Sequence, residues 1–364
     1  MLIAVDARPL RHPRTGIGKY TLNLLRHLSH LDVEFLLYGG DQAPMEIRSH
    51  VARARRTSTM RWLAGAQSLV LIGRWAVQDG AELFWSPRHH LPLGIRGMPS
   101  VLTVHDLVWR RAPGTMPAAN RIAERLLFPA SVRAASLILV PSDRSRTDLV
   151  HYYPEVANRV RVIPLGGDAW HESAAQDHSE IDPSSDPYML FIGGDQPRKN
   201  LRTLLAAVKL LKTRGVPCLR LVVVGEVSRR ELTQLVAADS TAPGARVEFR
   251  GALSDSDLQS AYRNCRFVVA PYLYEGFGLP IAEAAQFGKP AIVTRNSALS
   301  DLAGPACLQV DPMSPDEIAA AIERMQASPA LYRELSGRAL ALGVSLTWQE
   351  TARLTHRAFQ EVAG

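Results

Sequence analysis

Two glutamates stand eight residues apart in Glu275-Gly-Phe-Gly-Leu-Pro-Ile-Ala-Glu283. A strand-like apolar run, Phe267–Pro271, leads into them. Gly276 and Gly278 supply a turn without Cβ atoms, and Pro280 suits the start of a helix, so a strand–turn–helix is predicted here. The N–H groups from Phe277 through Leu279 to Ile281 would then point outward as an anion site. Glu275 would sit in the loop and Glu283 in the first helical turn, one acid toward each end of a ligand whose phosphates lie at the helix start. Sugar and ribose hydroxyls require acceptors of this kind. The spacing therefore predicts a nucleotide-sugar site.

Other segments carry compatible chemistry. Gly193-Gly-Asp-Gln-Pro-Arg-Lys-Asn200 follows the strand-like Tyr188–Ile192 and opens a helix. It brings Arg198 and Lys199 to one place, as a diphosphate leaving group requires. Exposed bases before a helix are the plainer account of the same residues. Thr15-Gly-Ile-Gly18 lies between a basic loop, Arg8 to Arg14, and an amphipathic helix. Such a turn admits a phosphate closely, although many α/β chains use glycine there for steric reasons alone. His105-Asp106 ends the strand-like Val101–Val104. Asp255-Ser-Asp257 has the spacing of a divalent-metal motif, but Ser254, three residues before Asp257 and ahead of an apolar-periodic helix, predicts a helix cap instead. No other cluster has metal-ligand spacing, so no metal and no cofactor are expected.

Together these segments resemble glycosyltransferase family 4. The E-x7-E segment, Thr15–Gly18, His105-Asp106, Pro141-Ser142, Pro197–Asn200 and the terminal Thr347-Trp-Gln occur in that family's order over nearly the whole chain. The resemblance implies a retaining, metal-independent enzyme of the GT-B fold, with a nucleoside diphosphate sugar as co-substrate. It implies catalytic roles for His105, Lys199 and Glu275. It implies donor contacts from Gly16, Arg198, Lys199, Gly251, Glu275, Gly276, Phe277, Gly278, Leu279 and Glu283. Gly251 belongs to Arg250–Leu253, which resembles the family's base-binding loop. The chain departs from the pattern twice: Gly194 stands where a second arginine is common, and Ser300-Asp301 replaces a Pro-Glu pair. Val5-Asp-Ala-Arg8 with the other motifs is similar to bacterial mannosyltransferases of polysaccharide and lipopolysaccharide assembly. GDP-mannose is thus the first expectation for the donor. UDP-glucose, UDP-N-acetylglucosamine and a non-catalytic nucleotide-sugar-binding module are the alternatives.

The elements that must position these residues alternate between strand-like and helical patterns, which predicts parallel α/β sheets. Six strand candidates fall before residue 170 and six after residue 187. A Ser/Asp/Pro-rich segment over 170–187 reads as a linker. The expected architecture is two Rossmann-like doubly wound parallel-sheet domains, 1–170 for the acceptor and 171–346 for the nucleotide sugar, facing across a cleft. The resemblance adds a helix over 347–364 that crosses back to the first domain.

Composition narrows the partners. The chain has 364 residues, 46% hydrophobic and 21% charged, a globular balance. No apolar run reaches transmembrane length, and the strand-like Leu2–Val5 at the start predicts no secretory leader. Three cysteines, Cys218, Cys265 and Cys307, show no metal or redox spacing, which fits reduced core thiols in a cytoplasmic protein. Residues 1–170 hold 22 Lys and Arg against 13 Asp and Glu, a balance of +9, whereas residues 171–364 hold 20 against 22, a balance of −2. No nucleic-acid-binding signature accompanies this charge. Arg53, Arg55, Arg56 and Arg61 beside Trp62 have the composition of an interfacial segment, and equally that of a solvated helix face. The expectation is peripheral contact with an anionic membrane at its inner face, where a lipid-linked or oligosaccharide acceptor would be met.

Overall fold

A computed structural model describes every residue except 41–43, 57–60, 94, 96, 169–186 and 229–246, with backbone alone at 61–69. The polar segment 170–187 and a helix expected near 228–238 therefore fall wholly or almost wholly outside the described residues. The chain divides into two units. One comprises Met1–Trp109, Pro117–Gly166 and Trp348–Gly364, the other Arg110–Met116 and Gly167–Thr347.

The first unit contains strands β1 (Leu2–Asp6), β2 (Glu34–Tyr38), β3 (Val51–Arg55), β4 (Leu83–Ser86), β5 (Ser100–Thr103), β6 (Leu137–Val140) and β7 (Val160–Val162). They form one sheet in the order β3-β2-β1-β4-β5-β6-β7, and every pairing is parallel. Its helices are α1 (Gly16–Leu28), α2 (Arg61–Gln78), the short α3 (Val108–Arg111), which runs across the unit boundary, α4 (Ala118–Ala134) and α5 (Asp143–Tyr152). Central strands covered on both faces read as unbroken apolar runs, as Leu137-Ile-Leu-Val140 does with every residue buried.

Strand β3 was not legible as a strand. Its sequence, Val-Ala-Arg-Ala-Arg, pairs only with β2 at the sheet edge, so its side chains stay largely in water and carry no apolar run. Arginines on such a strand also discourage edge-to-edge pairing.

The second unit holds β8 (Tyr188–Ile192), β9 (Arg220–Val224), β10 (Val247–Phe249), β11 (Cys265–Ala270), β12 (Ala291–Thr294) and β13 (Cys307–Val310), in the order β10-β9-β8-β11-β12-β13. Helices α6 (Leu201–Thr213), α7 (Asp255–Asn264), α8 (Leu279–Ala285), α9 (Ala298–Ala303), α10 (Pro315–Ala327) and α11 (Pro329–Ser345) accompany them. Leu190, Phe191, Val222, Val223, Val268, Val269 and Ile292 are wholly buried at its centre.

The last helix, α12 (Trp348–Ala363), belongs to the first unit. Its Trp348 ring lies 6.2 Å from Tyr20 of α1, Phe359 lies 5.6 Å from Trp85 of β4, and Thr351 Oγ1 donates to Pro164 O at 2.8 Å. Among the described residues, no helix is long and apolar enough to cross a membrane.

Candidate active site

In each sheet the chain reverses its direction of winding beside the first strand, between β1 and β4 and between β8 and β11. Ligands of doubly wound sheets bind beyond the strand carboxyl ends at such a reversal. In the second unit the two loops at that place are Gly193–Asn200 after β8 and Pro271–Gly278 after β11. These are the segments whose chemistry the sequence singles out.

Three of the expected site residues meet there on one atom. Arg198 Nη1 donates to Glu275 Oε2 at 2.5 Å, and Lys199 Nζ donates to the same oxygen at 2.6 Å. The Lys199 ammonium also lies 3.9 Å from the centre of the Tyr272 ring, a cation–π distance. Burial pushes the Glu275 carboxyl up, but Lys199 and then Arg198 outweigh it and bring the group down to about 2. Glu275 is therefore ionised at neutral pH, and the triad carries one net positive charge. The sequence suggested two cations for a diphosphate and a separate acid for a sugar. The fold joins all three.

The loops are fixed from several sides. Asn200 adopts a left-handed conformation, φ 60°, which Asn tolerates better than most residues. Its amide donates to Pro271 O at 2.9 Å and Pro312 O at 2.7 Å, while Oδ1 accepts from Thr203 Oγ1 at 2.6 Å. Leu273 N donates to Arg198 O at 2.8 Å, and the Tyr272 hydroxyl donates to Ile192 O at 2.5 Å. Glycine is required twice in the first loop. A Cβ on Gly193 would lie 2.7 Å from Lys199 Cγ, and one on Gly194, at φ +59°, would run into the carbonyl oxygen of Glu226. The arginine common at the Gly194 position would meet that carbonyl here.

Glu283 is buried on α8 and accepts from the Tyr262 hydroxyl at 2.7 Å. Burial, and then Glu283, drive the Tyr262 hydroxyl well above its ordinary range, so it stays a donor. The Tyr272 hydroxyl is raised by burial first, then by the charge of Glu275, with a smaller push from Glu283.

The structure accounts for part of the N–H set expected at the helix start. Helix α8 has seven residues, Pro280 has no N–H, and Ile281 N already donates to Gly278 O at 2.8 Å. Gly278 is required by its φ of +108°, and a Cβ there would also lie 2.5 Å from Leu299 Cδ2. Phe277 is buried beside it, Gly276 lies in the same loop, and Leu279 begins the helix. Gly251 has φ +62° and open space around its Cβ direction, and its carbonyl accepts from Gly225 N at 2.8 Å.

Two of the serines singled out in the sequence cap helices. Ser254 Oγ accepts from Asp257 N at 3.1 Å and caps α7. Ser300 forms a reciprocal capping box with Ser297 on α9. Among the described residues no group of three or more potential metal ligands occurs.

In the first unit the corresponding reversal is flanked by the loops after β1 and β4. Arg8 grips Asp6 with a fork, Nε to Oδ1 at 2.8 Å and Nη2 to Oδ2 at 2.5 Å, an arrangement the sequence reading did not anticipate. The positive-φ Gly39 makes room for it, since a Cβ there would lie 2.6 Å from Arg8 Cγ. His105 Nε2 donates to Pro87 O at 2.9 Å, His105 N donates to His89 Nε2 at 3.3 Å, and the imidazole meets Tyr20 edge-on at 4.7 Å. Asp106 Oδ1 accepts from Val108 N at 3.1 Å and so caps α3. Of the two glycines in Thr15–Gly18, Gly18 is explained by packing, because a Cβ would strike His12 O. Gly16 has nothing within 4 Å of that position, so packing does not require glycine there.

Two of the four arginines expected at a membrane are paired within the protein. Arg53 and Arg55 both pair with Asp79, and Arg55 stacks 5.6 Å over the Trp75 ring. Arg56 follows on the exposed edge. The Arg61 and Trp62 side chains lie outside the described residues.

Residues 174–340 match the family Glycosyl transferases group 1, and residues 14–170 match Glycosyltransferase Family 4. The O-antigen chain mannosyltransferase B of Escherichia coli is 28% identical over 391 residues, 99% of this chain and 100% of that protein. The serotype-specific mannosyltransferase WbdA of Escherichia coli is 27% identical over 63% of this chain and 29% of its own length. The fold matches sucrose-phosphate synthase of Thermosynechococcus elongatus with a TM-score of 0.76 at 20% identity, over 99% of this chain and 98% of that one. It also matches WaaG, a glycosyltransferase involved in lipopolysaccharide biosynthesis, with a TM-score of 0.74 at 15% identity over 100% of both chains. This chain belongs to glycosyltransferase family 4 and is a glycosyltransferase of the GT-B fold.

Proposed function

We propose that the enzyme is a retaining, metal-independent mannosyltransferase that moves mannose from GDP-mannose onto a lipid-linked or saccharide acceptor in bacterial surface-polysaccharide assembly. The observation that carries the chemistry is the convergence of Lys199 and Arg198 on the Glu275 carboxylate at the β8/β11 reversal. A departing nucleoside diphosphate develops negative charge, and a preorganised site with a net positive charge stabilises it. The Lys199 ammonium, a donor of up to three hydrogen bonds, is the group proposed to meet the phosphate. The acceptor oxygen bonds to the anomeric carbon on the face from which the phosphate oxygen departs. That oxygen takes the acceptor's proton, so neither a base nor a metal is needed and the anomeric configuration is kept. His105 stands at the transferred sugar, and Glu283, oriented by Tyr262, accepts from the ribose. Gly16 and Gly251 admit diphosphate and base to the backbone.

The full-length likeness to an O-antigen mannosyltransferase supports mannose. A second reading, another nucleotide sugar on the same machinery, is kept because D-inositol 3-phosphate glycosyltransferase of Rhodococcus opacus, 29% identical over 70% of this chain, is named as a glycosyltransferase and not as a mannosyltransferase. The acceptor is proposed to be met at an anionic membrane, to which the basic first half would be drawn. Thermal stabilisation and donor hydrolysis across GDP-mannose, UDP-glucose and UDP-N-acetylglucosamine test the donor. Response to a UDP sugar with none to GDP-mannose would overturn the mannosyl reading. An inverted anomeric signal in the product's NMR spectrum would overturn retention.

A further inference from the structure

Arg88 stands at the reversal of the first sheet. Strand β4 pairs with β1 so that Trp85 lies opposite Val5, and the chain beyond carries Asp6 to Arg8 on one side and Ser86 to Arg88 on the other. Both loops leave the same carboxyl edge, where doubly wound sheets take their ligands. The Arg88 side chain is half-buried. Among the described residues its guanidinium nevertheless makes no hydrogen bond and no ion pair.

Two acids attract it through space, and each is turned elsewhere. Asp6, 1% exposed, accepts from Arg8 Nε through Oδ1 at 2.8 Å and from Arg8 Nη2 through Oδ2 at 2.5 Å. Glu124 turns Oε2 to His90 Nε2, 3.2 Å away. Arg8 is thus already neutralised by Asp6, and the charge left to meet a ligand is that of Arg88. Burial, and then the charge of Arg8, push the Arg88 guanidinium below its ordinary range, although an arginine keeps its proton within a protein. A cation so placed has lost water without gaining a counter-ion, a costly state that an arriving anion relieves.

The loop is fixed by its own main chain. The Ser86 hydroxyl lies 2.9 Å from Arg88 O and 2.8 Å from His90 O, and Pro87 O accepts from His105 Nε2 at 2.9 Å. Leu91 N donates to Ser131 Oγ of α4 at 3.0 Å. The backbone is held while the Arg88 fork is left unspent. Such preorganisation lowers the ordering cost of binding, and the fork matches the paired oxygens of a phosphate or a carboxylate.

Resting on the transferase reading above, in which the first unit takes the acceptor, we propose that Arg88 recognises an oxyanion, phosphate or carboxylate, on the acceptor substrate and so sets acceptor specificity. Two kinds of acceptor carry such a group, a lipid-linked diphosphate and an acidic sugar.

Inorganic pyrophosphate and glucuronate serve as probes for the two. Each is titrated by calorimetry into the full chain carrying Lys199→Met, so that the donor triad has no net charge left for an anion. At least one probe should bind, and adding Arg88→Gln should weaken it about tenfold or more, as when a charge-assisted fork is lost. A response to pyrophosphate alone assigns a diphosphate, and one to glucuronate alone an acidic sugar. Arg88→Lys should recover part of the affinity, because it keeps the charge without the fork. Without ligand, Arg88→Gln should melt no lower than its parent in circular dichroism, since no bond within the fold is lost. A melting temperature several degrees lower would give Arg88 a structural role and overturn the proposal. Equal affinity with and without Arg88→Gln, or no binding of either probe, would overturn it too, while donor hydrolysis by the wild type would keep the transferase reading. If Arg88→Gln abolishes probe binding but the wild type hydrolyses no nucleotide sugar, the oxyanion site is upheld and its assignment to an acceptor falls with the transferase reading.

Discussion

Replacing Lys199 by methionine removes one charge from the centre of the triad while keeping a stem of similar length against Gly193. The Glu275 carboxyl is held at about 2 against an ordinary 4.5. At about 1.36 kcal/mol per pK unit, that difference corresponds to roughly 3 kcal/mol favouring the ionised form. Lys199 contributes more of it than Arg198 does, so the substitution should remove roughly 2 kcal/mol of stability at neutral pH. The sign follows from the lowered value. Stability from this group is complete above the unfolded value near 4.5 and disappears as pH falls through about 2. The gap between wild type and Lys199→Met should thus be level at neutral pH and close between those values. Urea denaturation followed by circular dichroism from pH 2 to pH 8 reads that gap directly. Turnover should fall further than stability, because the leaving group loses its cation, by about 10²–10³-fold in kcat as when a preorganised oxyanion donor is removed. Lys199→Arg should recover part of the activity. A Lys199→Met enzyme within a few-fold of wild type, with the same acid profile, would refute the assignment of both charge and catalysis.

Glu283→Gln keeps an acceptor for Tyr262 but loses the charge, and calorimetry should show donor binding weaker by roughly 1.5–3 kcal/mol with the fold intact. Unchanged affinity would remove the ribose role. Gly194→Arg, which restores the residue common at this position, should destabilise the protein by more than about 1 kcal/mol, because φ is +59° and a Cβ meets Glu226 O. A gain in thermal stability would contradict the packing account. Exhaustive chelation with EDTA should leave turnover unchanged, and a loss restored by one divalent cation would overturn metal independence.

What the sequence determined by itself was the class of fold and which loops carry the charged residues and glycines that follow its strands. Buried parallel strands must be apolar throughout, so runs such as Tyr188–Ile192 and Leu137–Val140 declare themselves. Loops that follow such strands and carry Glu, Lys and glycine then stand out against them. Edge strand β3 lacked that signal because one partner and one side in water demand no apolar residues. Only the tertiary structure decided which charged groups meet. Arg198 and Glu275 are 77 residues apart, and they share a bond because β8 and β11 are neighbours at the reversal of the sheet. The same holds for Arg53 and Arg55, whose composition suggests a membrane surface until Asp79 is placed beside them. It also separates Gly18, which the fold requires, from Gly16, which it does not. Local pattern records the environment each residue needs, whereas pairing between distant loops depends on strand order, which no local pattern encodes.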